Sequence, residues 1–381
     1  MKNLLFITNI AGSKMKVDFC KGAINAAKKC NLKFLSVANR STSTLEQMKI
    51  DEQEYGVFLK HADISRSPFS KSNIIAYKQI VKLINDENID YIHCNTPVGG
   101  LIGRLAGKKC KVKKVIYQAH GFHFYKGASK KNWLIYYPIE KWLAHYTDAI
   151  ITINKEDYEA AQKFKLKKGG KVYYVPGVGI NTNEFAPHDT EVGKQKRKEL
   201  GIPEDAVTLI SAGELNQNKN NSVIISALAK CKNKNIHYIL CGVGPLEEQL
   251  KNQAEKLELQ DRVHFLGYRT DIKELFAAAD VFVMPSFREG LSRSIMEAMA
   301  SGLPCIVSKI RGNVDLIIEG EGGFLCSPTS AEAFAEAIDN FCSNSEFKEK
   351  MRAFNLEYVK NFEISVVEKE IEKIYNEVFN N

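Results

Sequence analysis

Two carboxylates lie eight positions apart in PSFREGLSRSIMEAMASGLP (residues 285–304): Glu289 on a glycine-containing turn and Glu297 inside an expected helix. The run VFVMPS before the turn reads as a strand, and Gly302 with Pro304 ends the helix. Strand, glycine turn and helix start is the arrangement that aims backbone N–H groups and a positive dipole end at an anion, most often a phosphate, and Gly290 lets a ligand approach the main chain closely. At 1.5 Å per residue the two carboxylates stand roughly 12 Å apart. That is too far to share a proton, and it suits contacts to two distant parts of one extended ligand. The bland alternative makes Glu289 a cap and Glu297 a solvated helix residue. Two further side chains invite the same question: Lys219 in GELNQNKN and His120, which follows a strand in AHGFHFYKG. Read singly, Lys219 is an exposed lysine among asparagines and His120 a structural histidine at a strand end.

Composition narrows the setting. A chain of 381 residues exceeds what one core usually supports, so two domains are expected. No apolar run is long enough to span a membrane, and MKNLLFITNIAGSK lacks a secretory h-region, so a cytoplasmic location is expected. Nine cysteines without a Cys-x-x-Cys pair read as reduced, structural thiols. The histidine and aspartate spacings offer no metal motif, and no cofactor is expected. The net charge of +8 is uneven: residues 1–190 hold 30 Lys+Arg against 16 Asp+Glu, a net of +14, whereas residues 191–381 hold 23 against 29, a net of −6. A basic first half is either a solvated surface or one that faces an anion such as a membrane leaflet, a lipid phosphate or a nucleic acid.

The elements that must carry these side chains are strands and helices in alternation. Candidate strands are residues 4–8, 32–37, 90–95, 113–119, 149–153 and 171–176, then 206–213, 236–242, 263–267, 281–286, 304–308 and 323–327. Stretches such as IIAYKQIVKLIND (74–86) repeat apolar residues at helical spacing between them. Two doubly wound α/β domains follow, 1–185 and 186–363, with a ligand cleft between them. Gly242-Val-Gly244 after a strand suggests a dinucleotide fingerprint, but Glu247 occupies the third glycine position; a tight turn with a close helix is the better reading.

Glu289, seven intervening residues, Glu297 and then AMASGLP resemble the signature of the retaining nucleotide-sugar glycosyltransferases of family 4. The similarity runs on through AHGFHFYKG (119–127), VPGVGIN (175–181), GELNQNKN (213–220) and CGVGPLEEQL (241–250), especially as in enzymes of capsular and exopolysaccharide synthesis. The resemblance implies the GT-B fold, two facing Rossmann-like domains with an interdomain cleft, and a terminal helix, 364–381, packing back on the first domain. It implies that Glu289 holds hydroxyls of the donor sugar, Glu297 those of the ribose, and Lys219 the diphosphate, with His120 near the bond being broken. Gly12 would face the diphosphate from the first domain. Glu214, Tyr268, Arg269, Gly290, Leu291, Ser292 and Arg293 complete the implied donor site. Many members carry arginine where Glu214 stands, and a carboxylate there repels phosphate. Arg293 is the candidate for the compensating cation, with Arg311 second.

Both tryptophans and many tyrosines fall in residues 122–146, interleaved with Lys126, Lys130, Lys131 and Lys141. Basic and aromatic residues together suit attachment to the anionic inner face of the cell membrane and a polyprenyl-diphosphate-linked saccharide acceptor. The alternative is ordinary core packing, since Pro138 would kink a continuous amphipathic helix. The reaction expected is transfer of a sugar from a UDP-linked donor to an acceptor hydroxyl with retention, without metal. Rival readings are a nucleotide-sugar epimerase of the same plan, and a basic nucleic-acid-binding protein, which would leave the Glu289–Glu297 segment without purpose. A Rossmann oxidoreductase is disfavoured by the missing third glycine.

Overall fold

The computed structural model describes residues 1–10 and 20–380. Contacts divide the chain into two units, Met1–Gly179 with Ile364–Asn381, and Ile180–Glu363. In the first, the strands are β1 (Lys2–Ile10), β2 (Leu32–Asn39), β3 (Phe58–His61), β4 (Tyr91–Asn95), β5 (Lys114–Ala119), β6 (Ala149–Thr152) and β7 (Lys171–Tyr174). They form a parallel sheet in the order β3-β2-β1-β4-β5-β6-β7. The second unit holds β8 (Val207–Ala212), β9 (Ile236–Cys241), β10 (Val263–Phe265), β11 (Val281–Met284), β12 (Cys305–Ser308) and β13 (Gly323–Cys326), parallel in the order β10-β9-β8-β11-β12-β13. Each sheet reverses its winding once, between β1 and β4 and between β8 and β11. Beyond the strand ends at such a reversal, loops diverge and leave room for a ligand.

Helices cover both faces of a parallel sheet, so its strands are apolar along their whole length rather than in alternation. Every residue of β4, β9, β11 and β12 is buried. Cys94, Cys241, Cys305 and Cys326 lie buried in these strands or beside them as free thiols that fill space. The strand β3 was not expected from the sequence. It is a short edge strand in which only Leu59 is buried, too little apolar sequence to stand out.

The aromatic stretch divides its labour. Phe122 and Phe124 are buried and stack on each other at 4.7 Å, inside the first unit's core. The helix Lys130–Ala144 leaves Trp133, Leu134, Ile139 and Trp142 exposed. Helical residues continue on both sides of Pro138, where a kink was expected. Proline has no N–H to donate to the carbonyl four residues earlier, that of Leu134, a residue 77% exposed.

The chain leaves the first unit after Gly179 and returns at Ile364, and Ile180 pairs with Glu363 where these two crossings run side by side. The returning helix, Ile364–Asn380, buries Val367, Ile371, Ile374, Tyr375, Val378 and Phe379, a stripe at helical spacing. Lys29 of the helix Lys21–Lys29 pairs with Glu368 at 2.8 Å, and the Tyr91 ring stacks on Phe379 at 4.2 Å. At the centre, Tyr375 Oη lies 2.6 Å from Nδ1 of His93, which is fully buried. Burial pushes the His93 imidazole down from 6.5 to about 3, so the folded state keeps it neutral where the unfolded chain is already protonated. Its contribution to stability is therefore complete above pH 6.5 and is lost as the pH falls toward 3. Between pH 7 and 5 that loss should be about 2 kcal/mol for this one group. Urea unfolding of the wild type and of His93→Gln at both pH values measures it: the gap between the two proteins should move by that amount in favour of the variant at pH 5, and a gap independent of pH contradicts the account.

Candidate active site

In the second unit the C-terminal ends of β8 and β11 bring together two segments about seventy residues apart in sequence. The loop after β8 carries Glu214 and Lys219, and the turn after β11 carries Glu289. Lys219 Nζ lies 2.8 Å from Glu289 Oε1, both side chains partly buried. A cavity opens beside them, lined by Ser211, Gly213, Lys219, Cys241, Met284 and Pro285. Past Gly290 and Leu291, the Ser292 hydroxyl caps the helix Arg293–Ala300 by accepting from the Ile295 amide at 3.4 Å. Along that helix Arg293 Nε donates to Glu297 Oε1 at 2.9 Å, an i, i+4 pair. Burial pushes the Glu297 carboxyl up, with the Arg293 charge opposing it. The two carboxylates therefore each hold one cation, Lys219 for Glu289 and Arg293 for Glu297.

Asparagines hold the loop to the turn. Asn218 Nδ2 donates to the Arg288 carbonyl at 2.9 Å, and the Phe287 amide donates to the Asn218 carbonyl at 2.8 Å. Asn220 Nδ2 reaches the Pro285 and Pro328 carbonyls at 3.1 and 2.7 Å. Asn216 accepts from the Lys219 amide through Oδ1 and donates to Glu214 through Nδ2 at 2.9 Å. None of these asparagines was singled out from the sequence. The signal available was their density in GELNQNKNN, four within nine residues.

Glycines permit the close approaches that this site needs. A Cβ on Gly242 would run into the Gly213 carbonyl, and one on Gly244 into Leu215. The Gly-Val-Gly turn after β9 thus backs the loop bearing Glu214 and Lys219, a packing role and no dinucleotide fingerprint. On the other side Gly312, at φ +81°, presses on the Gly290 carbonyl, while Arg311 Nε donates to the Glu289 carbonyl at 3.2 Å. Arg311 is buried and grips the turn's main chain. Arg293 spends its Nε on Glu297, and the bond given to Glu214 is that from Asn216.

Tyr268 and Arg269 follow β10. The Gly242 amide donates to the Gly267 carbonyl at 2.7 Å, which ties their loop to the same strand ends. Tyr268 is exposed. Arg269 forms a forked pair with both oxygens of Asp271, and Lys196 Nζ shares Oδ2 at 3.0 Å; these bonds hold the Asp271 carboxyl well below the usual range.

In the first unit His120 leaves the end of β5. Its Nε2 lies 3.0 Å from Oδ1 of Asn95, the last residue of β4. Two residues on, the Phe122 amide donates to the buried Asp157 carboxylate at 3.0 Å, which pins the loop. His120 and Asn95 line a cavity with Gln118, Gly177, Phe6 and Ile371. Burial pushes the His120 imidazole down to about 4, so it is neutral at physiological pH. The His123 ring packs on Tyr136 at 4.5 Å. Gly12 lies outside the described residues. Among the described residues no group of three His, Cys, Asp or Glu could hold a metal ion.

Known proteins resemble the chain in sequence and in fold. The family model "Glycosyl transferases group 1" matches residues 193–357, and "Glycosyl transferase 4-like" matches residues 27–154. EpsD of Bacillus subtilis (strain 168), a glycosyltransferase by name, is 41% identical over 76% of each chain. The UDP-Gal:alpha-D-GlcNAc-diphosphoundecaprenol alpha-1,3-galactosyltransferase of Escherichia coli is 32% identical over 68% of each. The crystal structure of Anabaena HepE in complex with UDP and glucose superposes with a TM-score of 0.78, at 21% identity, over 99% of this chain and 100% of that one. Two family models that together span most of the chain, a relative 41% identical over three quarters of both lengths, and this fold show that the chain belongs to family 4 of the glycosyltransferases, sugar-transferring enzymes with the GT-B pairing of two parallel-sheet Rossmann-like domains.

Proposed function

We propose that the protein transfers a sugar from a UDP-linked donor to a hydroxyl of a polyprenyl-diphosphate-linked saccharide, with retention of anomeric configuration, in the synthesis of a capsular or extracellular polysaccharide. The observation that carries this reading is the Lys219–Glu289 pair at the mouth of the β8/β11 reversal, with Glu297 two helical turns further on. A nucleotide-sugar offers a matching sequence of features: sugar hydroxyls for Glu289, a diphosphate for Lys219 and ribose hydroxyls for Glu297. The name of the E. coli relative supports the donor and acceptor classes, and the UDP and glucose bound by HepE support the donor.

The chemistry asks most of Lys219. The bond from the anomeric carbon to the diphosphate oxygen breaks, and negative charge grows on that oxygen. A fixed ammonium group lowers the energy of this change more than that of the bound donor. The acceptor hydroxyl oxygen bonds to the anomeric carbon from the face the diphosphate leaves, and its proton passes to the departing phosphate oxygen. No dedicated carboxylate base is then required. Glu289, released from Lys219 by the diphosphate, accepts hydrogen bonds from sugar hydroxyls. Arg293 supplies the cation that Glu214 does not, and His120 acts on the sugar.

For the acceptor, the exposed Trp133, Leu134, Ile139 and Trp142, flanked by the exposed Lys126, Lys130, Lys131 and Lys141, fit a peripheral site on an anionic leaflet at the cytoplasmic side. Among the described residues no helix is long and apolar enough to cross a membrane.

A screen of UDP-glucose, UDP-galactose, UDP-N-acetylglucosamine and GDP-mannose for binding and slow hydrolysis tests the donor assignment. On the best substrate, Lys219→Ala and Glu289→Ala should each lower turnover about 100-fold or more, and Arg293→Ala should raise the donor KM about tenfold. Wild-type turnover in Lys219→Ala contradicts the reading. For the membrane, the protein should pellet with phosphatidylglycerol vesicles at low salt and be released at high salt. Absence of pelleting at both would remove the peripheral site.

A further inference from the structure

We propose that the loop and first helical turn around Phe69 form a second contact with an anionic phospholipid leaflet, so that the protein rests on the membrane through two neighbouring helix starts. This rests on the reading of the helix Lys130–Ala144 as a peripheral membrane site. Phe69 is 86% exposed, Ile74 62% and Ile75 52%. One exposed apolar side chain is ordinary on a protein surface, but three within seven residues make a patch. The charge around them has one sign. Residues 64–85 hold Arg66, Lys71, Lys78 and Lys82, all exposed, and no Asp or Glu. Residues 122–139 repeat the pattern, with Lys126, Lys130 and Lys131 beside the exposed Trp133 and Leu134 and again no carboxylate. Apolar side chains among cations, with no acid between them, match a bilayer interface of anionic headgroups: the apolar groups enter the acyl boundary while the basic heads stay at the phosphates.

The topology sets the two patches side by side. In a parallel sheet each crossover helix starts beyond the C-terminal end of the strand it follows. The helix Ser72–Asp86 follows β3 and the helix Lys130–Ala144 follows β5, so both start along one edge of the same sheet. They also cover the same face, with the helix Pro97–Cys110 packed between them: Ala76 and Ile80, Val98 and Ile102, and Ala144 share one core cluster. With neighbouring helix axes 8–10 Å apart, the two starts stand about 20 Å from each other, a span that one flat leaflet meets at both ends. Asn95 ends β4 and His120 follows β5 along this edge, so a saccharide carried by that leaflet arrives beside the cavity these residues line.

The loop that carries Phe69 is held in shape before any contact is made. Asn73 Oδ1 accepts from the Ser65 amide at 2.9 Å, and its Nδ2 donates to the Ser67 carbonyl at 2.8 Å. The Ser70 amide donates to the Ser67 carbonyl at 3.2 Å, which closes a turn with Pro68 and Phe69 at its centre. A turn already ordered loses little freedom when its apex is inserted.

Trp133 and Trp142 are the two tryptophans of the chain, so the first contact and the second can be read separately. With phosphatidylglycerol vesicles brominated in the acyl chains, at low salt, the fluorescence of the wild type reports the helix Lys130–Ala144. Phe69→Trp in a Trp133→Phe/Trp142→Phe background reports the loop, and it should be quenched by the same vesicles. Phe69→Ser/Ile74→Ser/Ile75→Ser should lower the vesicle partition coefficient about tenfold or more, with thermal melting and donor hydrolysis in solution as checks on its fold. Quenching of the native tryptophans without quenching at position 69, or vesicle binding unmoved in the triple variant, overturns the second contact and leaves the first standing. Absence of vesicle binding by the wild type removes the reading beneath both. Self-association of the wild type that the triple variant loses, with vesicle binding unmoved, would assign the patch to a second copy of the chain and overturn the proposal.

Discussion

The second unit is organised around an ion pair whose members come from different strand ends. Lys219 and Glu289 stand 2.8 Å apart because the loop after β8 is stitched, asparagine by asparagine, to the turn after β11. Neither charge is deeply enough buried for the pair to be worth much as a stabilising contact, since partly exposed pairs contribute about 1 kcal/mol or less. Its importance is geometric. Two opposite charges are held at one spot beyond the strand ends at the reversal of a parallel sheet, where a ligand has room to enter. The glycines at 242, 244 and 312 are consequences of the same demand, because each lies where backbone must touch backbone to bring the loops into register.

Much of the architecture was legible in the sequence, and for an identifiable reason. Strands covered on both faces are apolar throughout, so DYIHCN, IHYILC and VFVMPS stand out without any pairing information. β3 escaped because an edge strand with one buried residue has no such run. In the candidate site, residue types and the Glu289-to-Glu297 interval were readable as local spacing. Partners were not. That Arg293 meets Glu297, that Arg311 grips the turn's carbonyl and that Asn218 and Asn220 sew two loops together are long-range facts fixed by strand order. Asn95 read simply as the last residue of a strand.

The first unit shows a different economy of charge. Two of its histidines are kept neutral by burial, the fully buried His93 against Tyr375 of the returning helix and the half-buried His120 against Asn95. A neutral imidazole keeps one lone pair that can accept a hydrogen bond, which the imidazolium cation lacks. The basic excess of the first half of the chain is carried instead by surface lysines, among them those flanking Trp133 and Trp142.

In the proposed function the two carboxylates hold opposite ends of one nucleotide-sugar. Titration calorimetry with UDP and with UDP-glucose, or whichever UDP-sugar binds best, separates their roles. Glu297→Gln should weaken both ligands alike, by about tenfold, because both carry the ribose. Glu289→Gln should leave UDP affinity intact or raise it by freeing Lys219, and should abolish the extra affinity that the sugar confers. If Glu289→Gln instead weakens bare UDP as strongly as Glu297→Gln does, the division of the site between sugar and nucleotide is wrong.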